Sequence, residues 1–167
     1  IFLKTRHHKI NMYTISISEQ LTFEKIEVII RKNLKLELSD EAKEKIIDGR
    51  NYLEKKINQA DVPIYGINTG FGSLCNTKID EKYLDQLQEN LLKSHACGTG
   101  DEVPKEIVKL MLLLKIQGLS FGNSGVRLET IERLIDFYNL EILKYFKQNN
   151  FSNFIFEMFL KKITFLL

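Results

Sequence analysis

The sequence predicts a mainly α-helical fold with one short N-terminal strand and two long loops. Three observations carry this. Apolar side chains recur at helical spacing through five stretches, each opened by a capping residue or closed by a breaker. Only "YTISIS", from Tyr13 to Ser18, alternates apolar and polar residues as a strand does. Glycines 66, 70, 72, 98 and 100 gather in the intervals around 60–78 and 94–103, which marks both as loops.

The helices follow in order. Thr22 caps a helix running to about Asn33, with Glu24 near its positive end. Ser39 caps a second, "SDEAKEKIIDGRNYLEKKIN", with an acidic first turn, a basic last turn and the stripe Ala42, Ile46, Leu53 and Ile57. Asp80 opens a third, to about Ser94, with the stripe Leu84, Leu87 and Leu91. Pro104 suits the first turn of a fourth. That helix, "KEIVKLMLLLKIQGLS", is apolar nearly all round, as expected of a helix inside a large bundle or at a subunit interface. "FGNSGVR" is a turn, and "LETIERLIDFYNLEIL" is a fifth helix.

At 167 residues the chain is long enough to bury a substantial core as one domain. Its 44% hydrophobic and 28% charged residues are ordinary for a soluble protein. The net charge of +2 hides a partition. Residues 1–11 hold three basic residues and no acid, and residues 144–167 hold four lysines against Glu157. The body between is mildly acidic, which argues against a nucleic-acid surface. Cys75 and Cys97 form no CxxC pair, and the histidines at 7, 8 and 95 lack zinc-ligand spacing. The thiols fit a reduced, cytoplasmic-type protein, and no apolar run reaches membrane-spanning length. The domain reading is therefore residues 1–11 as a non-native or disordered extension before Met12, a body at 12–143, and a divergent tail at 144–167. The tail holds six of the eleven phenylalanines and no glycine or proline, as out-of-frame translation of AT-rich DNA would. Its alternative reading is an amphipathic helix through Phe151, Phe154, Met158 and Phe159.

Three stretches carry candidate chemistry. "VPIYGINTGFGSL" (62–74) spaces its glycines as G-x-x-x-G-x-G, with no Gly-Lys-Ser/Thr, so it is not a phosphate loop. A turn between helices explains Gly70 and Gly72. It leaves Tyr65 and Asn68 beside exposed backbone that a substrate could approach. A free tyrosine has a pKa of about 10, so a base role needs a cationic or dipolar setting. "NLLKSHACGTG" (90–100) places His95 at a helix end, either as a cation on the helix dipole or as a group presented to a cleft. "SFGNSGVR" (120–127) offers Arg127, which is either a surface ion pair or a carboxylate partner.

"PIYGINTGFGSL", "NLLKSHACGTG" and "LMLLLKIQGLSFGNSGVR", in this order, resemble the N-terminal region of the aromatic amino acid lyase family, most closely its histidine-acting branch. The specific element is Tyr-Gly-x-Asn-Thr-Gly-Phe-Gly at Tyr65–Gly72, and the resemblance spans about residues 13–143. It implies the N-terminal part of the family's helical fold, with long active-site loops and a homotetramer in the intact enzyme. It also implies elimination of ammonia from an amino acid, histidine giving urocanate, on a methylidene-imidazolone (MIO) electrophile formed from an internal Ala-Ser-Gly. Tyr65 corresponds to the base that removes the β-proton, and Gly72 to a substrate-lining glycine, with Asn68 beside them as a further substrate-binding candidate. Ser94-His95 matches the pair typical of the histidine branch, with His95 receiving the imidazole. Phenylalanine- and tyrosine-selective relatives tend to have Phe-Leu or His-Leu there.

This sequence contains no Ala-Ser-Gly, and "KYFKQNNFSNF" stands where the resemblance would place it. The chain is accordingly expected to be an N-terminal fragment, inactive alone, with a small amino acid as substrate and no nucleic-acid or membrane partner. The alternatives are a tyrosine or phenylalanine ammonia-lyase or aminomutase relative, and a non-catalytic helical interaction module.

Overall fold

A computed structural model describes residues 11–59, 63–95, 101 and 103–142. The expected extension at 1–11 (save Asn11), the loop at 96–100 with Cys97, and the tail at 144–167 lie outside the described residues. The elements are β1 (Met12–Ile15), α1 (Phe23–Arg31), β2 (Lys35–Leu38), α2 (Asp40–Gln59), α3 (Leu84–His95), α4 (Lys105–Ser120) and α5 (Leu128–Asn139). Short 3-10 turns at Gly72–Leu74 and Glu81–Tyr83 punctuate the interval before α3.

The helix starts follow from local chemistry. The Thr22 hydroxyl accepts from Lys25 N at 3.4 Å and caps α1. The same hydroxyl and the backbone hold the Glu24 carboxyl below its ordinary range. Ser39 Oγ accepts from Ala42 N at 3.1 Å and caps α2 in the same way. Between these helices the strand β2 is a finding that the sequence pattern did not signal. It is four residues, "KLEL", and pairs in parallel with β1 from Met12↔Lys35 to Ile15↔Leu38, α1 serving as the crossover. Four residues are too few for alternation to stand out from a loop.

The core lies around α4, which packs against α1, α2 and α5. Val108, Leu112, Leu113 and Ile116 are fully buried there, facing Ile29, Ile46, Ile131 and Leu134. Each such side chain contributes about 1.5–3 kcal/mol of burial. The opposite side of α4 carries Ile107, Met111 and Leu114, all partly exposed, and Phe121 continues that line. The helix is therefore apolar on both sides, as its composition required, with one side covered within this chain. Among the described residues no helix is long and apolar enough to cross a membrane.

Two glycines let α2 touch the turn after α4 backbone to backbone. A Cβ on Gly49 would stand 1.9 Å from the Gly122 carbonyl oxygen, and one on Gly122 would stand 2.2 Å from the Lys45 carbonyl oxygen. Gly122 also needs its positive φ of 73° to turn the chain. Arg50 braces the same junction by donating to the Gly125 carbonyl at 3.5 Å.

Several expected boundaries move, and the strand expected from Tyr13 to Ser18 runs instead from Met12 to Ile15. The third helix begins at Leu84 after a 3-10 turn rather than at Asp80. The fifth ends at Asn139, four residues before Leu143, because tertiary contacts take hold of its end. The Asn139 side chain accepts from Leu36 N at 2.7 Å and donates to Leu36 O at 2.8 Å. Glu141 then adopts φ 54°, outside any helix.

Glycine-to-alanine replacement in helices separates these roles. Gly118 lies in α4 with nothing within 4 Å of an added Cβ, so Gly118→Ala stabilises by about 0.5–1 kcal/mol. Gly49→Ala destabilises instead, by about 1–3 kcal/mol, since it drives a methyl into backbone. Thermal melts of the two variants should shift in opposite directions, and a stabilised Gly49→Ala would refute the close approach.

Candidate functional site

The glycine-rich stretch forms a loop that its own hydrogen bonds close. Ile64 to Asn68 is a tight turn, with Ile67 N and Asn68 N both donating to the Ile64 carbonyl at 3.0 and 3.2 Å. Gly66 takes φ 76° to make this turn. The chain then pairs antiparallel at Thr69↔Lys78. Gly70 N donates to Thr77 O at 3.2 Å, and Ile79 N donates to Asn68 O at 2.9 Å. The two limbs are tied at their base while the tip at 71–76 folds into a 3-10 turn.

Each glycine has a physical reason. Gly66 and Gly72 hold positive φ, 76° and 57°. Gly70 holds no unusual torsion, but a Cβ there would meet Leu74 Cβ at 2.5 Å. Above Gly72 there is open space, with nothing within 4 Å of an added Cβ, so its backbone is free to meet a ligand.

Tyr65 sits 64% exposed at the rim of this loop. Its ring meets Phe71 edge to face, with centroids 6.2 Å apart at 73°. Phe71 thus orients the tyrosine and leaves its side chain open to solvent. Asn68 is engaged inward: its Oδ1 accepts from Ile64 N at 2.6 Å, so it shapes the turn that carries Tyr65. Thr69 is buried, accepts from Gly66 N at 3.4 Å and donates to the Gly70 carbonyl at 3.0 Å. Neither the Thr69 nor the Phe71 role was read from the sequence, although both belong to the Tyr65–Gly72 motif. Their small-polar and aromatic characters were the available signal.

Ser94 is exposed on the last turn of α3. His95 closes that helix, and its side chain lies outside the described residues. The structure brings Tyr65, Asn68 and Gly72 together on one loop and puts Ser94 and His95 at one end of α3. An open groove of about 430 Å³ lies between Lys78–Asp80 and a wall formed by Tyr83 of the preceding 3-10 turn and Gln86, Leu87 and Asn90 of α3. Tyr65 does not line it. Cys75, half-buried in the loop, is a free thiol. Among the described residues no group of three His, Cys, Asp or Glu could hold a metal ion.

Residues 21–148 match the family model described as aromatic amino acid lyase. The chain is 44% identical over 127 residues to a histidine ammonia-lyase of Deinococcus radiodurans, covering 76% of this chain and 24% of that protein. Among solved structures it superposes on histidine ammonia-lyase from Trypanosoma cruzi with a TM-score of 0.63 and 34% identity, over 75% of this chain and 24% of that one. It also superposes on a Pantoea agglomerans phenylalanine aminomutase with a TM-score of 0.67 and 27% identity, over 77% and 25%. The chain spans about a quarter of the length of the curated relatives it matches.

The loop geometry predicts a specific response at Gly72. Gly72→Ala costs about 1–2 kcal/mol of local stability through the left-handed torsion alone. Gly72→Asn recovers part of this, because asparagine tolerates that region. Amide exchange at Cys75, whose N–H donates to the Gly72 carbonyl at 3.1 Å, reads the effect. An unchanged Cys75 rate in Gly72→Ala would contradict it.

Proposed function

The chain belongs to the aromatic amino acid lyase family, and on that premise we propose that it supplies the substrate loop of an ammonia-lyase acting on histidine. The reaction is loss of ammonia to give urocanate. The observation that carries this reading is Tyr65, held solvent-facing on a glycine-hinged loop by Phe71 and beside the open backbone of Gly72. Tyr65 accepts the β-proton, and Gly72 leaves room for the substrate at the loop rim. Asn68 holds the Tyr65 turn in shape. Ser94 and His95 receive the imidazole end. The curated histidine ammonia-lyase relatives support the substrate class.

A β-hydrogen of an amino acid is barely acidic, so its removal requires the departing amine to be activated at the same time. In the family that activation is assigned to MIO. Its Ala-Ser-Gly precursor does not occur in these 167 residues, so the residues present do not make the group. Assembly as a homotetramer and a cytoplasmic location complete the proposal. They draw on the family, together with the part-exposed side of α4 for assembly. The phenylalanine aminomutase likeness supports a second reading, in which the substrate is a larger aromatic amino acid.

A chimaera tests the assignment. Residues 12–143 replace the matching region of the Deinococcus radiodurans histidine ammonia-lyase, and urocanate absorbance is followed. The chimaera should turn over histidine in preference to phenylalanine and tyrosine. Tyr65→Phe within it should lower kcat by about 10²- to 10⁴-fold, the range of a lost general base. A Tyr65→Phe chimaera at full rate would overturn the base role, and a preference for phenylalanine or tyrosine would favour the second reading. The 167-residue polypeptide alone should form no urocanate.

A further inference from the structure

Where the chain leaves α1 and where it leaves α5, a non-glycine residue sits in the left-handed region: Asn33 at φ 49° and Glu141 at φ 54°. Each is the left-handed residue of a helix C-cap: Asn33 N donates to Ile30 O at 3.1 Å and Leu34 N to Ile29 O at 3.0 Å, while Glu141 N donates to Tyr138 O at 3.3 Å and Ile142 N to Phe137 O at 3.2 Å. One polar cluster joins the two caps. Lys109 of α4, its side chain only 7% exposed, stands between the two turns. Its ammonium donates to Glu141 Oε1 at 2.9 Å and also to Asn33 Oδ1. Asn33 Nδ2 donates to the same Glu141 oxygen at 2.9 Å. Lys105, one turn earlier on α4, donates to the other carboxylate oxygen. Asn33 and Glu141 are 108 residues apart in the chain.

We propose that Glu141 is the bolt of an electrostatic latch that ties the α1–β2 turn to the exit of α5, so that the two open as a unit. The carboxylate is the common acceptor for both lysines and for Asn33. Without it Lys109 is a buried cation with no counter-ion, and the two caps lose the group that joins them. The latch stands independently of the reaction assigned to Tyr65.

The charged and titratable groups around it are Lys105 and Lys109 from α4, Tyr138 from α5 and Lys35 from β2. The Tyr138 ring lies 5.4 Å from the Lys109 ammonium, and Lys35 donates to the Asn139 carbonyl. Lys105, then Lys109 and Asn33, lower the Glu141 pKa from 4.5 to about 2. A folded-state pKa below the unfolded one gives stability that is present above the unfolded value and lost as pH falls through the folded one. The latch is therefore closed at neutral pH and loosens in acid, between about pH 4.5 and about pH 2.

Amide exchange and thermal melts of the 167-residue chain test it. In Glu141→Gln, the amides of Leu34 and Leu36 on one side and Ile142 on the other should exchange faster by a common factor of about tenfold or more, while Leu112 and Ile116 keep their protection. Lys109→Met, which removes the cation and keeps an apolar stem, should loosen the same two turns. The melting gap between wild type and Glu141→Gln should narrow by about half or more between neutral pH and about pH 3. Loosening of one turn without the other, loosening of neither, or a gap that does not change with pH would overturn the latch. Should Glu141→Gln fail to fold, Glu141→Asn, which favours the left-handed backbone, is read in its place against the same outcomes.

Discussion

The sheet of this protein depends on one side-chain amide. Two parallel strands of four residues each cannot stand alone in water. The inner edge of β2 pairs with β1, which leaves the other edge to be satisfied. Asn139 does this by presenting its carboxamide as a surrogate strand to Leu36, one donor and one acceptor in place. That pairing joins the end of α5 to the sheet. It lays Leu36 and Leu38 into the core with Ile15 and Ile29. With the sheet anchored, α4 has a continuous apolar bed on its inner side, and α2 can close against the turn that follows it. Removing the Asn139 amide would expose the outer edge and loosen the packing built on it.

Much of this was legible in the sequence, for identifiable reasons. Thr22 and Ser39 cap helices because a hydroxyl beside the first free N–H groups acts locally and needs no distant partner. The apolar surplus of α4 announced that a single covered face would not account for it. What could not be read is tertiary in origin. Strand β2 exists because α5 supplies its outer partner from more than a hundred residues away. Helix α5 stops early because its last residues are captured by β2 and α4, where local propensity would have let it run on.

The candidate site divides along the same line. The motif from Tyr65 to Gly72 marked the loop, and in the structure Gly66 and Gly72 supply left-handed torsions while Gly70 makes room for Leu74. Asn68 stood in the sequence beside backbone a substrate could approach, and in the fold its Oδ1 accepts from Ile64 N. The orienting contact of Phe71 on Tyr65 is a matter of ring geometry, which spacing alone does not encode. Ser94 and His95 share a helix end, and their joint role with Tyr65 rests on the family.

The closed base of the loop has a thermodynamic meaning for whatever meets its rim. The backbone bonds from Gly70 to Thr77 and from Ile79 to Asn68 spend the ring-closing entropy during folding, before any ligand arrives. A ligand then need not organise a dozen residues of chain. It restrains little more than the tyrosine ring, a cost of about 0.5–1.5 kcal/mol. A ligand bound at the rim therefore keeps more of its contact energy as affinity.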